Sequence, residues 1–171
     1  MLEVTAQIIV VPPYFENFGK RPIKPPKVYI GDSRLACHLL GITTQALERS
    51  PFLGPLFEGY VAAEILKSQI NQGGRKELYY FRDQQGLEVD FLFPGRRGRL
   101  WMVECKTSRT PQPAMARPLV SLRHAMPNRL APQVAVVPSL GRRKIAPPLK
   151  VLAPGVEALD MERFVKALTS D

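Results

Sequence analysis

One stretch limits what this chain can fold into more than any other: GLEVDFLF, a Pro-Gly reversal, then RLWMVECKTS, from Gly86 to Ser108. Both halves read as β-strands. Leu87, Val89, Phe91 and Phe93 recur at alternate positions in the first half, and Pro94-Gly95 with the basic run to Gly98 turns the chain into an antiparallel hairpin. In the second strand Leu100 and Met102 form one apolar face, while Trp101, Val103 and Cys105 form the other. A strand that is apolar on both faces belongs inside a sheet. It nevertheless ends in Glu104 and Lys106, two charges spaced i, i+2 and so on one face. Burying unpaired charges is costly, so both need partners. Asp90 on the neighbouring strand offers a further carboxylate.

Two acids and a lysine converging across adjacent strands suit metal-dependent phosphodiester chemistry. Two carboxylates with a carbonyl or water can hold Mg²⁺, which prefers hard oxygen ligands. Such a metal supplies an activated water and balances charge on the phosphoryl transition state, and a lysine beside it can orient water or phosphate. The pattern is Asp90, a spacer of thirteen residues, then Glu104-Cys105-Lys106. A structural salt bridge between Glu104 and Lys106 explains the same residues, and both readings stay open on this stretch alone.

Upstream, a helix is expected from Gly54-Pro55 to about Ile70, with Pro55 in the first turn. Phe57, Val61 and Ile65 form its apolar stripe, and Glu58 shares a face with Val61, Ala62 and Ile65. An inward-facing acid there needs a metal, a lysine or a hydrogen-bond network. The alternative is simple support of the helix dipole.

The opening is less self-sufficient. Val4 to Val11 is β-like and is followed by a Pro-rich, basic connector, a strand that cannot bury itself. It is expected to pack as an arm on the main body or to pair outside the chain. Short helices capped by Asp32 or Ser33 and by Thr43 or Thr44, a strand over Leu78–Arg82, a helix within Ala114–Met126, a parallel strand over Val134–Val137, a last strand over Lys150–Leu152 and a helix after Asp160 complete the layout. This is an α/β layout around a mixed central sheet flanked by helices. The net charge of +9 suits a polyanionic partner such as DNA, with Arg75, Lys76, Arg96, Arg97 and Arg99 contacting its backbone. Two cysteines make no disulfide framework, and no apolar run approaches membrane-spanning length; a soluble, cytoplasmic protein is expected.

The order of features resembles the DUF4143 domain, the C-terminal domain of archaeal and bacterial AAA-type ATPases in the PD-(D/E)XK nuclease-like superfamily. The stretches that carry it are PPYFENFGKRPIKPPKVYIGDSRLACHLLGI (Pro12 to Ile42), GPLFEGYVAAEILK (Gly54 to Lys67), YYFRDQQGLEVDFLF (Tyr79 to Phe93) and WMVECKTS (Trp101 to Ser108). The resemblance implies a restriction-endonuclease-like core over residues 31–171 behind an extended arm over residues 1–30. It also implies a catalytic set of Glu58, Asp90, Glu104 and Lys106, the three acids holding Mg²⁺ or Mn²⁺. Gly59 stands where the family often has Asn, and Cys105 where valine is frequent. The chain has no GxxxxGK[ST] phosphate loop, and VTAQIIVV resembles the tail of the winged helix that precedes the domain in relatives. The expectation is a metal-dependent nuclease-like domain acting on or binding DNA. The alternative is an inactive nuclease-fold module for nucleic-acid binding, or for interaction with an ATPase in trans.

Overall fold

The strands form where the sequence is apolar, but the alternation is interrupted: Val89 and Phe91, two positions apart, enter different cores at a register shift between neighbouring strands. The computed structural model describes residues 7–14, 24–95, 100–108, 110–126, 133–136 and 150–170. In chain order the elements are β1 (Ile8–Val11), β2 (Lys27–Ile30), α1 (Ser33–Leu39), α2 (Thr44–Leu47), α3 (Leu53–Asn71), β3 (Tyr79–Arg82), β4 (Glu88–Pro94), β5 (Leu100–Cys105), α4 (Arg117–Ala125), β6 (Gln133–Val136), β7 (Lys150–Ala153), β8 (Val156–Leu159) and α5 (Met161–Ser170). A 3₁₀ turn over Pro113–Ala116 leads into α4.

Strands β3 to β8 form one six-stranded sheet in the order β3-β4-β5-β6-β8-β7. The β3–β4 and β4–β5 pairs are antiparallel, β5–β6 and β6–β8 are parallel, and β7 closes the edge antiparallel to β8. The sheet is therefore mixed, as expected. Strand β8 is an addition to that expectation. It is four residues long and follows β7 through Pro154 and Gly155, whose φ of 72° takes the turn into a region glycine tolerates.

The alternation in β5 sorts its side chains onto two cores. Trp101, Val103 and Cys105 join Phe91 and Phe93 beneath α3 and α5. Leu100 and Met102 join Leu92 beneath α4, with Leu119 and Leu122. Val103 and Met102 are fully buried, and each such side chain contributes roughly 1.5–3 kcal/mol relative to exposure. Phe93 stacks on Trp101 at 5.7 Å between ring centroids, and Phe164 of α5 meets that indole edge-on.

The N-terminal arm packs on the main body. Strand β1 pairs antiparallel with β2, and Ile9, Val11 and Tyr29 enter the same core as Phe57, Val61 and Ile65 of α3. Beyond β1 the chain runs along β3, where Tyr80 N–H donates to the Pro12 carbonyl and Tyr14 N–H to that of Tyr80. The arm thereby covers an otherwise open sheet edge. Ile9, Val11 and Tyr29 thus share one core with α3, β4 and β5. The caps behave as read, Asp32 and Thr43 capping α1 and α2 through their side-chain oxygens, and Gly41 follows the end of α1 at a φ of 65°.

Candidate functional site

The antiparallel register of β4 and β5 runs from Phe91 opposite Val103 to Pro94 opposite Leu100. Asp90 and Glu104 lie just past the Phe91–Val103 end of this register. There the Cys105 backbone N–H donates to Asp90 Oδ2 over 2.8 Å, so a carboxylate takes the place of a main-chain acceptor. Asp90 and Glu104 are both buried, at 8% and 5% exposure. Lys106, just past the end of β5, donates to Glu104 Oε1 over 2.5 Å. Glu104 Oε2 is buried and has no hydrogen-bond partner among the described residues. Burial and the neighbouring Asp90 charge push Glu104 up to about 7, against the pull of Lys106.

Glu58 enters from the first turns of α3, and its needs are met by a lysine and a hydrogen bond. Tyr29 of β2 donates its phenol to Glu58 Oε2 over 2.6 Å, and Lys27 Nζ lies 3.7 Å from the same oxygen. Lys27 also reaches Glu88 Oε1 at 2.6 Å and Asp90 Oδ1 at 3.2 Å, with the Tyr80 ring 5.5 Å away. Burial works against the ammonium, but Asp90, Glu88 and Glu58 outweigh it and hold Lys27 above its usual value. Burial and the Asp90 charge raise Glu58, with Tyr29 and Lys27 pulling the other way. Burial, then the Glu58 carboxylate, raise the Tyr29 phenol. Asp90 thus stands between two groups, Lys27–Glu58–Glu88 on one side and Glu104–Lys106 on the other.

Gly59 makes this meeting possible. A Cβ there would sit 3.3 Å from Tyr29 Cβ and 3.5 Å from the Ile30 carbonyl oxygen. The missing side chain lets β2 lie close on α3, which carries Tyr29 and Lys27 to Glu58.

The structure therefore brings Glu58, Asp90, Glu104 and Lys106 to one end of the β4–β5 pair. It does not bring the expected basic residues there. Arg75 and Lys76 are exposed in the loop after α3, and from Glu58 to Asn71 that helix rises roughly 20 Å at about 1.5 Å per residue. Arg75 lines a cleft with Phe93, Pro94 and Gly95, at the hairpin tip and so at the far end of the sheet. Arg96, Arg97 and Arg99 lie outside the described residues.

Sequence reasoning missed Lys27, Tyr29 and Glu88. A signal existed in β2, whose alternation is inverted: Val28 and Ile30 face outward at 59% and 36% exposure, while Tyr29 is buried and Lys27 half-buried. A strand that turns its aliphatics out and a lysine in is serving something other than the core.

As to a metal, no three Asp, Glu, His or Cys side chains among the described residues group closely enough to hold an ion together. A smaller set does fit. Asp90 and Glu104 are adjacent buried carboxylates, and the unpartnered Glu104 Oε2 is an oxygen ligand without a proton donor.

A model of the family described as "Domain of unknown function (DUF4143)" matches residues 53–153, more than half of the chain. The chain belongs to the DUF4143 family. The matched span includes Glu58, Asp90, Glu104 and Lys106, and begins after Lys27 and Tyr29. Two relatives, the uncharacterised proteins Rv2008c of Mycobacterium tuberculosis and Mb2031c of Mycobacterium bovis, are each 38% identical over 126 residues, 73% of this chain. The chain spans only 26% of their length. Among solved structures, a chain of the Thermococcus gammatolerans assembly of McrB AAA+ hexamers with bound McrC is similar at a TM-score of 0.48 and 15% identity, over 80% of this chain and 45% of that one. Among the described residues no helix is long and apolar enough to cross a membrane.

Proposed function

We propose that this DUF4143 domain is a metal-dependent nuclease-like module of the PD-(D/E)XK type, acting on DNA. The observation that carries the reading is the pairing of Asp90 with Glu104, whose Oε2 is buried without a partner while Lys106 holds Oε1. Mg²⁺ or Mn²⁺ would be held by these two carboxylates and would supply an activated water and charge neutralisation. Lys106 is the group placed to orient that water or a phosphate oxygen. Glu58 is tethered to Tyr29 and Lys27 and helps hold the Lys27 ammonium beside Asp90. The net charge of +9 suits a phosphodiester polymer, although the described basic loop lies away from the acids.

The test is calorimetric titration with Mn²⁺ of the wild type and of Asp90→Asn, followed by cleavage assays on single-stranded, duplex and branched DNA. Saturable binding that Asp90→Asn abolishes, with Mn²⁺-dependent cleavage lost in Asp90→Asn and Glu104→Gln, is the expected result. Absence of Mn²⁺ binding with and without DNA would sink it.

One observation favours a second reading. Lys27 already places a cation among Glu58, Glu88 and Asp90, as expected of a nuclease fold retained for binding nucleic acid or for docking an ATPase in trans. In that case DNA or the ATPase binds with no divalent-metal requirement.

A further inference from the structure

The arm covers the edge of β3 but leaves part of its own edge open. Gly31 N–H donates to the Gln7 carbonyl, and hydrogen-bonded pairs alternate along an antiparallel ladder. Ile9 and Val11 therefore turn their main-chain groups to β2, while Ile8 and Val10 turn theirs away. Pro12 and Tyr14 continue that outward set, and both bond to Tyr80. Upstream of the bridge between Pro13 and Tyr80 the two strands part, and the outward N–H and C=O groups of Ile8 and Val10 have no partner among the described residues.

Where they part lies a groove of about 350 Å³, bounded by Ile8 and Val10, by Leu78 and Tyr79, and by Leu66 and Ile70 of α3. The outer face of the β1–β2 ribbon is aliphatic as well, with Ile8 opposite Ile30 and Val10 opposite Val28. The charged residues lining the groove are Lys67 and Lys76, and no carboxylate lines it. Lys67 pairs with Glu64 yet keeps its side chain 63% exposed, and Lys76 is exposed. An uncharged strand edge beside an apolar groove can take up a further strand, main-chain bonds giving affinity and alternate side chains specificity.

We infer that β1 accepts an extended segment of a partner protein as a third strand of the ribbon, its aliphatic residues alternating with acidic ones. The unpaired groups of Ile8 and Val10 call for a peptide main chain, Leu66, Ile70 and Leu78 for aliphatic side chains, and Lys67 and Lys76 for carboxylates. DNA would match the lysines but not the strand edge. The four residues of β1 span about 13 Å at roughly 3.3 Å each, so about four residues of the segment pair. Neither edge nor groove includes Glu58, Asp90, Glu104 or Lys106, and occupancy is independent of divalent metal.

The experiment is fluorescence anisotropy of a labelled, end-blocked (Val-Glu)₄ peptide titrated with the full chain, beside (Val-Lys)₄ and a (Val-Glu)₄ peptide N-methylated at every residue. Val10→Pro removes an outward N–H and leaves the bonds of β1 to β2 in place. Lys67→Glu/Lys76→Glu reverses the charge without touching the strand. Expected is saturable binding of (Val-Glu)₄ to the wild type, unchanged by EDTA. It should weaken about tenfold in each variant and for each altered peptide. If Val10→Pro does not fold, the lysine variant and the N-methylated peptide carry the test. No saturable binding of (Val-Glu)₄ overturns the inference, as does an N-methylated peptide that binds equally well. A chain that dimerises through this edge, or a DNA duplex held by Lys67 and Lys76, with (Val-Glu)₄ unbound, overturns it in favour of that occupant. Each of these results leaves the Mn²⁺ titration of Asp90 and Glu104 unaffected.

Discussion

The Cys105 backbone N–H donates to Asp90 Oδ2 over 2.8 Å while Lys27 holds the other oxygen of the same carboxylate at 3.2 Å. One side chain thereby ties β4 to β5 and to the N-terminal arm. Asp90→Ala strands a buried N–H and a half-buried ammonium together, and should destabilise the fold by about 2–3 kcal/mol. Asp90→Asn keeps an acceptor and should cost less than half of that. Urea denaturation of the two variants measures the difference, and equal losses would show that the Cys105 bond contributes nothing.

Glu104 supplies a pH dependence. Burial and the Asp90 charge raise it from 4.5 to about 7 in the folded protein. Between those values the folded state binds more protons than the unfolded state, so stability falls as pH rises through the window and levels off above it. The slope is at most about 1.4 kcal/mol per pH unit, and Glu58, raised by the same two causes, adds to it with the same sign. Urea midpoints from pH 4.5 to 7.5 should decline for the wild type and decline less for Glu104→Gln. A wild-type midpoint that rises across this window would mean that Glu104 ionises readily in the fold.

Tyr29 donates to Glu58 at 2.6 Å in a half-buried setting. Tyr29→Phe keeps the ring against Phe91 and removes only the hydroxyl. It should cost about 1–2 kcal/mol, and most of that loss should disappear when Glu58 is already Gln. A double-mutant cycle in urea gives the coupling directly, and additive losses would rule out a direct Tyr29–Glu58 interaction energy.

Gly59 is expected to tolerate little. The contact of 3.3 Å to Tyr29 Cβ leaves no room for a branched side chain, so Gly59→Val should push β2 from α3 and cost roughly 1–3 kcal/mol. Gly59→Ala gains about 1 kcal/mol of helix propensity, which offsets a smaller displacement and leaves it near neutral. Thermal melts of the pair separate the two effects. A Val variant as stable as Ala would show that β2 is not held against the helix.

Phe164 is fully buried and meets Trp101 edge-on with centroids 6.5 Å apart. Phe164→Ala should cost about 3–5 kcal/mol by transfer and cavity together. Hydrogen exchange should then rise first in α5, because Phe164 and Leu168 are the residues of that helix buried in the core.

Much of this architecture was legible in local sequence. Strands β4 and β5 announce themselves by alternation, α3 by its stripe and Pro55, and α1 and α2 by Asp32 and Thr43 at their caps. These signals act over a few residues, so no distant part of the chain is needed to read them. Strand β8 escaped because four residues behind a tight turn carry too little periodicity. The inward-facing Glu58 was recognisable as a residue in need of a partner, but a metal, a lysine and a hydrogen-bond network were equally open to it.

The amino-acid order by itself determined that Asp90, Glu104 and Lys106 would share one patch, since antiparallel register and the i, i+2 spacing follow from the hairpin alone. Only the tertiary structure decided what surrounds them. Lys27 lies 63 positions from Asp90 in sequence, and it arrives because an inverted strand packs on a helix at a glycine. Arg75 ends up at the other end of the sheet because α3 continues from Glu58 to Asn71 before the loop that carries it. Charge pairing of this kind depends on distance in space, which local pattern does not contain.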